Sequence, residues 1–258
     1  MKHAATAQIE YGPVRGIAGV DTLSAMGLRT GFDRHFHDTY SFGLILSGVE
    51  RCDVRRSREF FEPGTVPMFN PGEVHDGGPA TPEGWSYRMV YIDPALIAGE
   101  KLFALPQRRD APATAAARRL FDAIDCGSEL GIEEALSGAL DILLDKADRD
   151  RGAPATLSKV RELIDAHCCE PLRLHDLCQV IGMSPTRLLR GFEAAYGLTP
   201  HRYQQSRRIA KAKRMLLAGT PLVEVATACG YSDQSHLNRW FVRIHGTTPG
   251  RLRRAFFS

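Results

Sequence analysis

At 258 residues the chain is long enough for two domains of ordinary size. Its 43% hydrophobic and 24% charged residues are those of a soluble globular protein, and neither a membrane span nor an N-terminal signal-like apolar core is legible. The net charge of +3 hides a split: residues 153–258 carry 16 Lys and Arg against 7 Asp and Glu, while residues 1–152 carry 17 against 23, an asymmetry that points to a nucleic-acid-binding part joined to something else.

Residues 1–110 read as β structure. The runs YSFGLILSGVERCDV (40–54), FFEPGTVPMFNPGEVHDGG (60–78) and WSYRMVYID (85–93) are rich in β-formers and broken by Gly, Pro and Asn turns, the pattern of an all-β sandwich or barrel. Little in the sequence before Tyr40 specifies a structure. In HFHDTYSFG (35–43) two histidines stand at i and i+2, which on a strand face the same way. NPGEVH (70–75) supplies a turn and then His75. This arrangement resembles a cupin barrel, a fold that encloses one small ligand. His35, His37, Tyr40, His75, Arg88 and Tyr91 are candidate lining residues for an effector. Arg88 either pairs with a carboxylate or phosphate on that ligand or lies on the surface of its strand. His35, His37 and His75 either hold a divalent metal with open coordination positions or hydrogen-bond within the barrel mouth and touch an organic ligand. Metal-binding cupins commonly add a glutamate just after the first two histidines, and Tyr40, Ser41 and Phe42 stand there instead. The expectation is therefore no cofactor, with a metal on the three histidines as the alternative.

Residues 111–152 hold two predicted helices and a linker. The first helix covers 113–125 and the second 129–147, where Leu130, Ala135, Leu136, Leu140, Leu143 and Leu144 make a broad apolar face. Packing of this pair on the barrel is one reading of that face. RDRGAP (149–154) reads as the linker.

Residues 153–258 contain a repeat. GMSPTRLLRGF (182–192) matches GYSDQSHLNRWF (230–241), and YGLTPHR (196–202) matches HGTTPGR (245–251). Each copy is preceded by a short amphipathic pattern, Leu174, Leu177, Cys178 and Ile181 in one and Leu222, Val225, Ala226 and Cys229 in the other. A small residue four before each glycine lets a second helix approach the first, and glycine permits the left-handed turn between them. Two tandem helix-turn-helix units follow, their second helices capped by Ser184 and by Ser232 or Asp233. The N-terminal end of such a helix enters the major groove of double-stranded DNA, where Gln and Asn pair with adenine and Arg with guanine. The residues expected to meet DNA are Ser184, Pro185, Thr186, Arg187 and Arg190 in the first unit. In the second they are Ser232, Asp233, Gln234, Ser235, Asn238, Arg239 and Arg243, with Leu237, Trp240 and Phe241 turned to the core. Between the units, residues 201–219 predict a helix with a stripe of Tyr203, Ile209, Ala212, Met215 and Leu216. Arg207, Arg208, Lys211, Lys213 and Arg214 lie on its other faces, with Arg207 and Lys211 expected at phosphates. About 18 residues span roughly 27 Å, enough to hold two reading helices in successive major grooves ~34 Å apart.

The pattern GMS…LxRxF, YGLTPxxY, AxxxGYSDQSHLNRWFVRIHGTTPGRLR, over about 157–254, resembles the DNA-binding domain of the AraC/XylS transcriptional regulators, many of which carry a cupin sensor. That resemblance implies an α+β multidomain chain, an antiparallel β-barrel with following helices and then an all-α double helix-turn-helix domain. It implies recognition helices over Ser184–Arg190 and Ser232–Arg239, a homodimer joined through the helical pair, a small-molecule effector, and RNA polymerase as a partner if the protein activates. Cys178 stands where the family usually has alanine, and Pro185 and Thr186 leave the base preference of the first helix open. The runner-up is a metal-dependent cupin enzyme fused to a DNA-binding module. No membrane partner is expected. Six cysteines with no C-x-x-C pair argue against a disulfide framework or a cysteine zinc site and fit the cytoplasm.

Overall fold

The computed structural model of the chain describes residues 8–146 and 154–257. Packing divides it into two compact units, one drawn chiefly from residues up to Asp148 and one chiefly from Arg149 onward.

In the first unit β-formers and turn residues alternate as far as Ile92, and strands follow suit. They are β1 (Gln8–Pro13), β2 (Val20–Leu28), β3 (Phe32–His35), β4 (Tyr40–Ser47), β5 (Glu50–Val54), β6 (Ser57–Phe61), β7 (Val66–Phe69), β8 (His75–Pro79) and β9 (Trp85–Ile92). Two-residue strands β10 (Lys101–Leu102) and β11 (Gln107–Arg108) come next. One sheet has the order β1-β2-β9-β4-β7-β11 and a second β3-β8-β5-β6. Three strands thus precede Tyr40, in a segment without a firm local signal.

Strand β9 lies between β2 and β4, antiparallel to both. Its period of two sorts its side chains to opposite faces. Trp85, Tyr87, Met89 and Tyr91 join Leu23, Ile45, Cys52 and Phe61 in a cluster fed by both sheets. Val90 and Ile92 join Phe42, Leu44 and Met68 in a second cluster, closed by helices. Those helices are α1 (Ala111–Cys126), whose Asp110 cap accepts from the Ala113 N–H, and α2 (Glu129–Leu143), capped by Ser128. Ala116, Leu120 and Phe121 of α1 and Ile132, Leu136, Ala139 and Leu143 of α2 are buried, so the pair packs on the outer face of the six-stranded sheet.

The face of α2 is rotated from the expected one: Leu130 is 67% exposed, and Ile132 takes the core position. The helix also stops at Leu143, with Leu144 extended, and β12 (Asp145–Lys146) then pairs with β10. Of the expected linker, residues 149–153 lie outside the described residues.

The second unit is helical: α3 (Ala155–Ala166), α4 (Leu174–Ile181), α5 (Pro185–Tyr196), α6 (Pro200–Leu217), α7 (Leu222–Ala228), α8 (Gln234–His245) and α9 (Pro249–Phe257). Buried Leu188 and Phe192 anchor α5, and Leu237 and Phe241 anchor α8, each such side chain contributing ~1.5–3 kcal/mol on burial. Their places in the two copies correspond, as the repeat requires.

Candidate nucleic-acid interface and ligand site

Each copy of the repeat folds as a short helix, a left-handed glycine and a longer helix. Gly182 ends α4 at φ 65° and Gly230 follows α7 at φ 74°. A Cβ at Gly230 would lie 2.1 Å from the Cys169 carbonyl oxygen, whereas one at Gly182 would meet nothing within 4 Å. The second turn is thus fixed by crowding as well as by its backbone angle.

The start of α8 is organised by Asp233, whose carboxylate accepts from the His236 N–H at 2.7 Å and from the Ser232 hydroxyl at 3.0 Å. These bonds, the backbone one first, hold its carboxyl below the usual range. Gln234, Ser235, Asn238, Arg239 and Arg243 are all exposed. Val242, also exposed, continues the Gln234–Asn238 row one turn further. Val242 is not among the residues expected at DNA, although its i+8 spacing from Gln234 marks it. Trp240 is half-buried rather than core, with Arg243 stacked on its ring at 5.4 Å. In the first copy Ser184, Pro185, Thr186, Arg187 and Arg190 are exposed. Ser184 occupies the cap position but its side chain makes no capping bond.

The connector α6 has 18 residues. Its basic side chains do not all face outward as expected. Arg208 is buried, and its guanidinium donates to the carbonyls of Cys168 at 2.6 Å, Glu170 at 2.9 Å and Gly230 at 3.0 Å. Arg207 pairs with Asp165 at 2.9 Å. Lys211 donates to the Ala228 carbonyl at 3.3 Å. These three cations hold α6 to its neighbours, which explains why so basic a helix packs in the middle of its unit.

Strand β3 ends at His35, in a segment (Asp33–Phe36) that groups with the second unit, and His37 lies in the following loop rather than on the same strand. His37 and His75 still converge, their ring centres 5.2 Å apart. The NPGEVH turn does the positioning. Gly72, at φ 76°, donates its N–H to the His37 carbonyl at 2.8 Å. The Glu73 carbonyl accepts from His75 Nδ1 at 2.9 Å, and the Glu73 carboxylate ties back to the Asn70 N–H at 2.9 Å and to Arg55. His35 Nδ1 donates in the same way to the Asp33 carbonyl at 2.6 Å. Phe69 stacks on His75 at 3.9 Å, and burial pushes the His75 imidazole down to about 4, so it is neutral at pH 7.

Tyr91 belongs with this group, its ring 5.2 Å from that of His37. Tyr40 and Arg88 do not. Tyr40 donates to the Lys101 carbonyl at 2.6 Å and packs on Phe103, beside the helix-covered cluster. Arg88 pairs through both terminal nitrogens with Asp125 at 2.7 and 2.8 Å and stacks over Phe121 at 4.6 Å. It therefore docks α1 rather than a ligand. The cause is parity: residues 88 and 91 are an odd number apart on one strand, and Tyr40 is paired with Ile92 while Ser41 is paired with Tyr91.

The inner face carries polar groups the sequence reading missed. Tyr11 of β1 stacks on Tyr91 at 6.1 Å, and Tyr87 stacks on Trp85 at 6.0 Å. Burial raises all three phenols, Tyr91 to about 12. Among the described residues the buried Trp85 indole N–H has no hydrogen-bond partner. Glu50 alternates inward with Cys52 and Val54, and burial, then Asp76, raises its carboxyl to about 8.

The family model described as an AraC-like ligand binding domain matches residues 17–140, and that described as a helix-turn-helix domain matches residues 177–255. The chain is 28% identical over 238 residues to the uncharacterized HTH-type transcriptional regulator YbfI of Bacillus subtilis, covering 84% of this chain and 86% of that protein. It is 24% identical over 231 residues to the probable transcriptional regulator LumQ of Photobacterium leiognathi, covering 84% and 90%. Its fold is similar to the crystal structure of ToxT from Vibrio cholerae, with a TM-score of 0.53 at 12% identity and 98% of each chain covered. Nothing among these relatives supports the reading of a cupin enzyme. Among the described residues no helix is long and apolar enough to cross a membrane.

Proposed function

Because the chain belongs to the AraC family of transcriptional regulators, with a helix-turn-helix DNA-binding domain and an N-terminal ligand-binding domain, we propose that α5 and α8 read successive major grooves of a promoter. The observation that carries this is the paired exposure of Pro185–Arg187 with Arg190 and of Gln234, Ser235, Asn238 and Arg239 on two equivalent helices. Arg239 and Arg190 read guanine and Gln234 and Asn238 read adenine, while Ser232 and Asp233 organise the helix start. Arg207 and Lys211 leave the contact set, since both are engaged within the unit. A small-molecule effector occupies the barrel on the inner face of β9, against Tyr11, Tyr87, Tyr91 and Trp85. These hydroxyl and N–H groups suit an oxygen-bearing ligand. The effector acts by binding one conformational state more tightly than the other. The protein works as a cytoplasmic homodimer and engages RNA polymerase where it activates.

The test uses DNA enriched from a random pool by the full chain and fluorescence anisotropy over a salt series. Affinity is expected to fall with salt, by a log–log slope of ~0.9 per neutralised phosphate. Arg239→Ala is expected to cost ~1–3 kcal/mol, roughly 10–100-fold in affinity, with an unchanged melting temperature. Salt-independent binding, or binding indifferent to both Arg239→Ala and Arg190→Ala, refutes the reading.

A further inference from the structure

We infer that the effector held on the inner face of β9 is a small organic cation, an amine or quaternary ammonium compound that also carries an oxygen atom, with Glu50 as its counter-ion. This deepens the effector reading above and rests on it. Three observations within the first unit carry it.

The first is where Glu50 stands. Strand β5 alternates, so Glu50, Cys52 and Val54 are buried while Arg51 and Asp53 are only half-buried. The Glu50 side chain turns towards β8. One of its carboxylate oxygens lies 2.4 Å from where a Cβ on Gly77 would be, and the Phe32 ring lies 3.6 Å from the same point. Phe32 meets Trp85 edge to face at 6.2 Å, and Trp85 stacks on Tyr87 at 6.0 Å. The carboxyl therefore ends at the border of the aromatic wall, close enough to act electrostatically on both Tyr87 and Tyr91.

The second is the sign of the charge. Among the described residues of the first unit no lysine or arginine is buried. The groups electrostatically coupled to Glu50, namely Cys52, Asp76, Tyr87 and Tyr91, are all acids. A buried carboxyl in such surroundings is costly, and part of that cost is recovered when a positive group arrives beside it. An anionic effector meets repulsion there instead.

The third is the wall itself. Aromatic faces carry negative potential and attract a cation, most strongly where water is excluded. The indole N–H of Trp85 and the hydroxyl of Ser41, on β4 opposite Tyr91, are buried without a hydrogen-bond partner among the described residues. An N–H only donates, so Trp85 suits an acceptor oxygen on the ligand and not its ammonium group. A cation at Glu50 and an oxygen at Trp85 give the ligand its two poles.

The test is isothermal titration of the full chain with choline and with 2-amino-1-phenylethanol. Each is set beside its uncharged counterpart, 3,3-dimethylbutan-1-ol or 1-phenylpropan-1-ol, and mandelate serves as the anion. At least one cation is expected to bind ~10-fold or more tightly than its uncharged counterpart, and mandelate is expected not to bind. Glu50→Gln should weaken the cation by about 10–100-fold, while Glu83→Gln, on an exposed turn, should change nothing. A second measurement needs no variant. Burial raises the Glu50 carboxyl to about 8, so pairing with a cation at pH 7 ionises it and releases about one proton, read from titrations in buffers of different ionisation enthalpy. No binding of either cation, equal affinity for the uncharged counterparts, indifference to Glu50→Gln, or no proton released overturns the inference. If mandelate or an uncharged alcohol binds tightly and Tyr87→Phe weakens it, the effector site stands and only the charge assigned to its ligand falls.

Discussion

Replacing Arg208 by alanine should unfold the helical unit far more readily than removing any of the exposed arginines of α5 and α8. Arg208 is 8% exposed, and its guanidinium donates to three carbonyls, of Cys168, Glu170 and Gly230, at 2.6–3.0 Å. It also lies 5.9 Å from the Tyr231 ring centre. A hydrogen bond from a charged donor contributes ~1.5–3 kcal/mol, but the three are coupled and water entering the truncated site recovers part of the loss. The expected cost is therefore ~3–5 kcal/mol, the usual range for breaking a buried charged network. For a unit of this size that corresponds to a fall in melting temperature on the order of 15–30 °C. Arg207→Ala, removing the partly exposed pair with Asp165, should cost no more than ~1 kcal/mol. The assay is urea and thermal unfolding of the full chain followed by helical circular dichroism. Arg208→Lys should fall between, because one ammonium cannot reproduce a three-pronged fork. A loss below about 1 kcal/mol for Arg208→Ala, or one equal to that of Arg207→Ala, would refute the reasoning.

Two further predictions concern other sites. Gly230→Ala combines a left-handed backbone with a Cβ 2.1 Å from the Cys169 oxygen, so it should cost well over ~2 kcal/mol, while Gly182→Ala, with open space around it, should cost only ~1 kcal/mol; equal losses in urea unfolding would show that crowding at Gly230 is relieved by a small shift. The Glu50 carboxyl is raised to about 8 in the fold, chiefly by burial, so between its unfolded value near 4.5 and 8 the folded state binds more protons than the unfolded one. Stability of the first unit should accordingly fall by a few kcal/mol as pH rises through this window, and Glu50→Gln should flatten the fall; a wild-type profile that is flat or rises there contradicts the burial of this carboxyl.

Much of the helical unit was legible because its signal is local and doubled. The Gly182 and Gly230 turns, the caps and the apolar spacing are all set within a few residues, and the second copy checks the first. Arg208 was not, because a basic residue on a basic helix looks like surface until the carbonyls it clasps, some 40 positions earlier and 22 later, are brought in. In the β unit, the runs from Tyr40 to Ile92 announced strands, but β1–β3 lack such runs and are set by long-range pairing. His37 and His75 meet as their motif suggested even though the assumed common strand of His35 and His37 does not exist. Arg88 and Tyr40 were misassigned by chemistry where counting parity from Tyr91 would have placed them on the other side. The same counting would have found Tyr87 and Trp85. Tyr11 had no local signal, since only the pairing of β1 with β2 carries it to Tyr91.

Strand β9 serves two interiors at once, and this separates two kinds of inheritance. Replacements at residues 85, 87, 89 and 91 alter the lining of the proposed effector site, while those at 86, 88, 90 and 92 alter how the helices seat, so the two properties can drift independently under point substitution. A gain or loss of one residue within the strand has no such freedom, because it would exchange the two sets wholesale. The register irregularities of both neighbours fall at one end of β9, between Ala25 and Leu28 and between Ile45 and Ser47. Differences in length among descendants of this chain should collect there, far along the strand from Tyr91, leaving new ligand preferences to arise by changes of side chain at fixed positions.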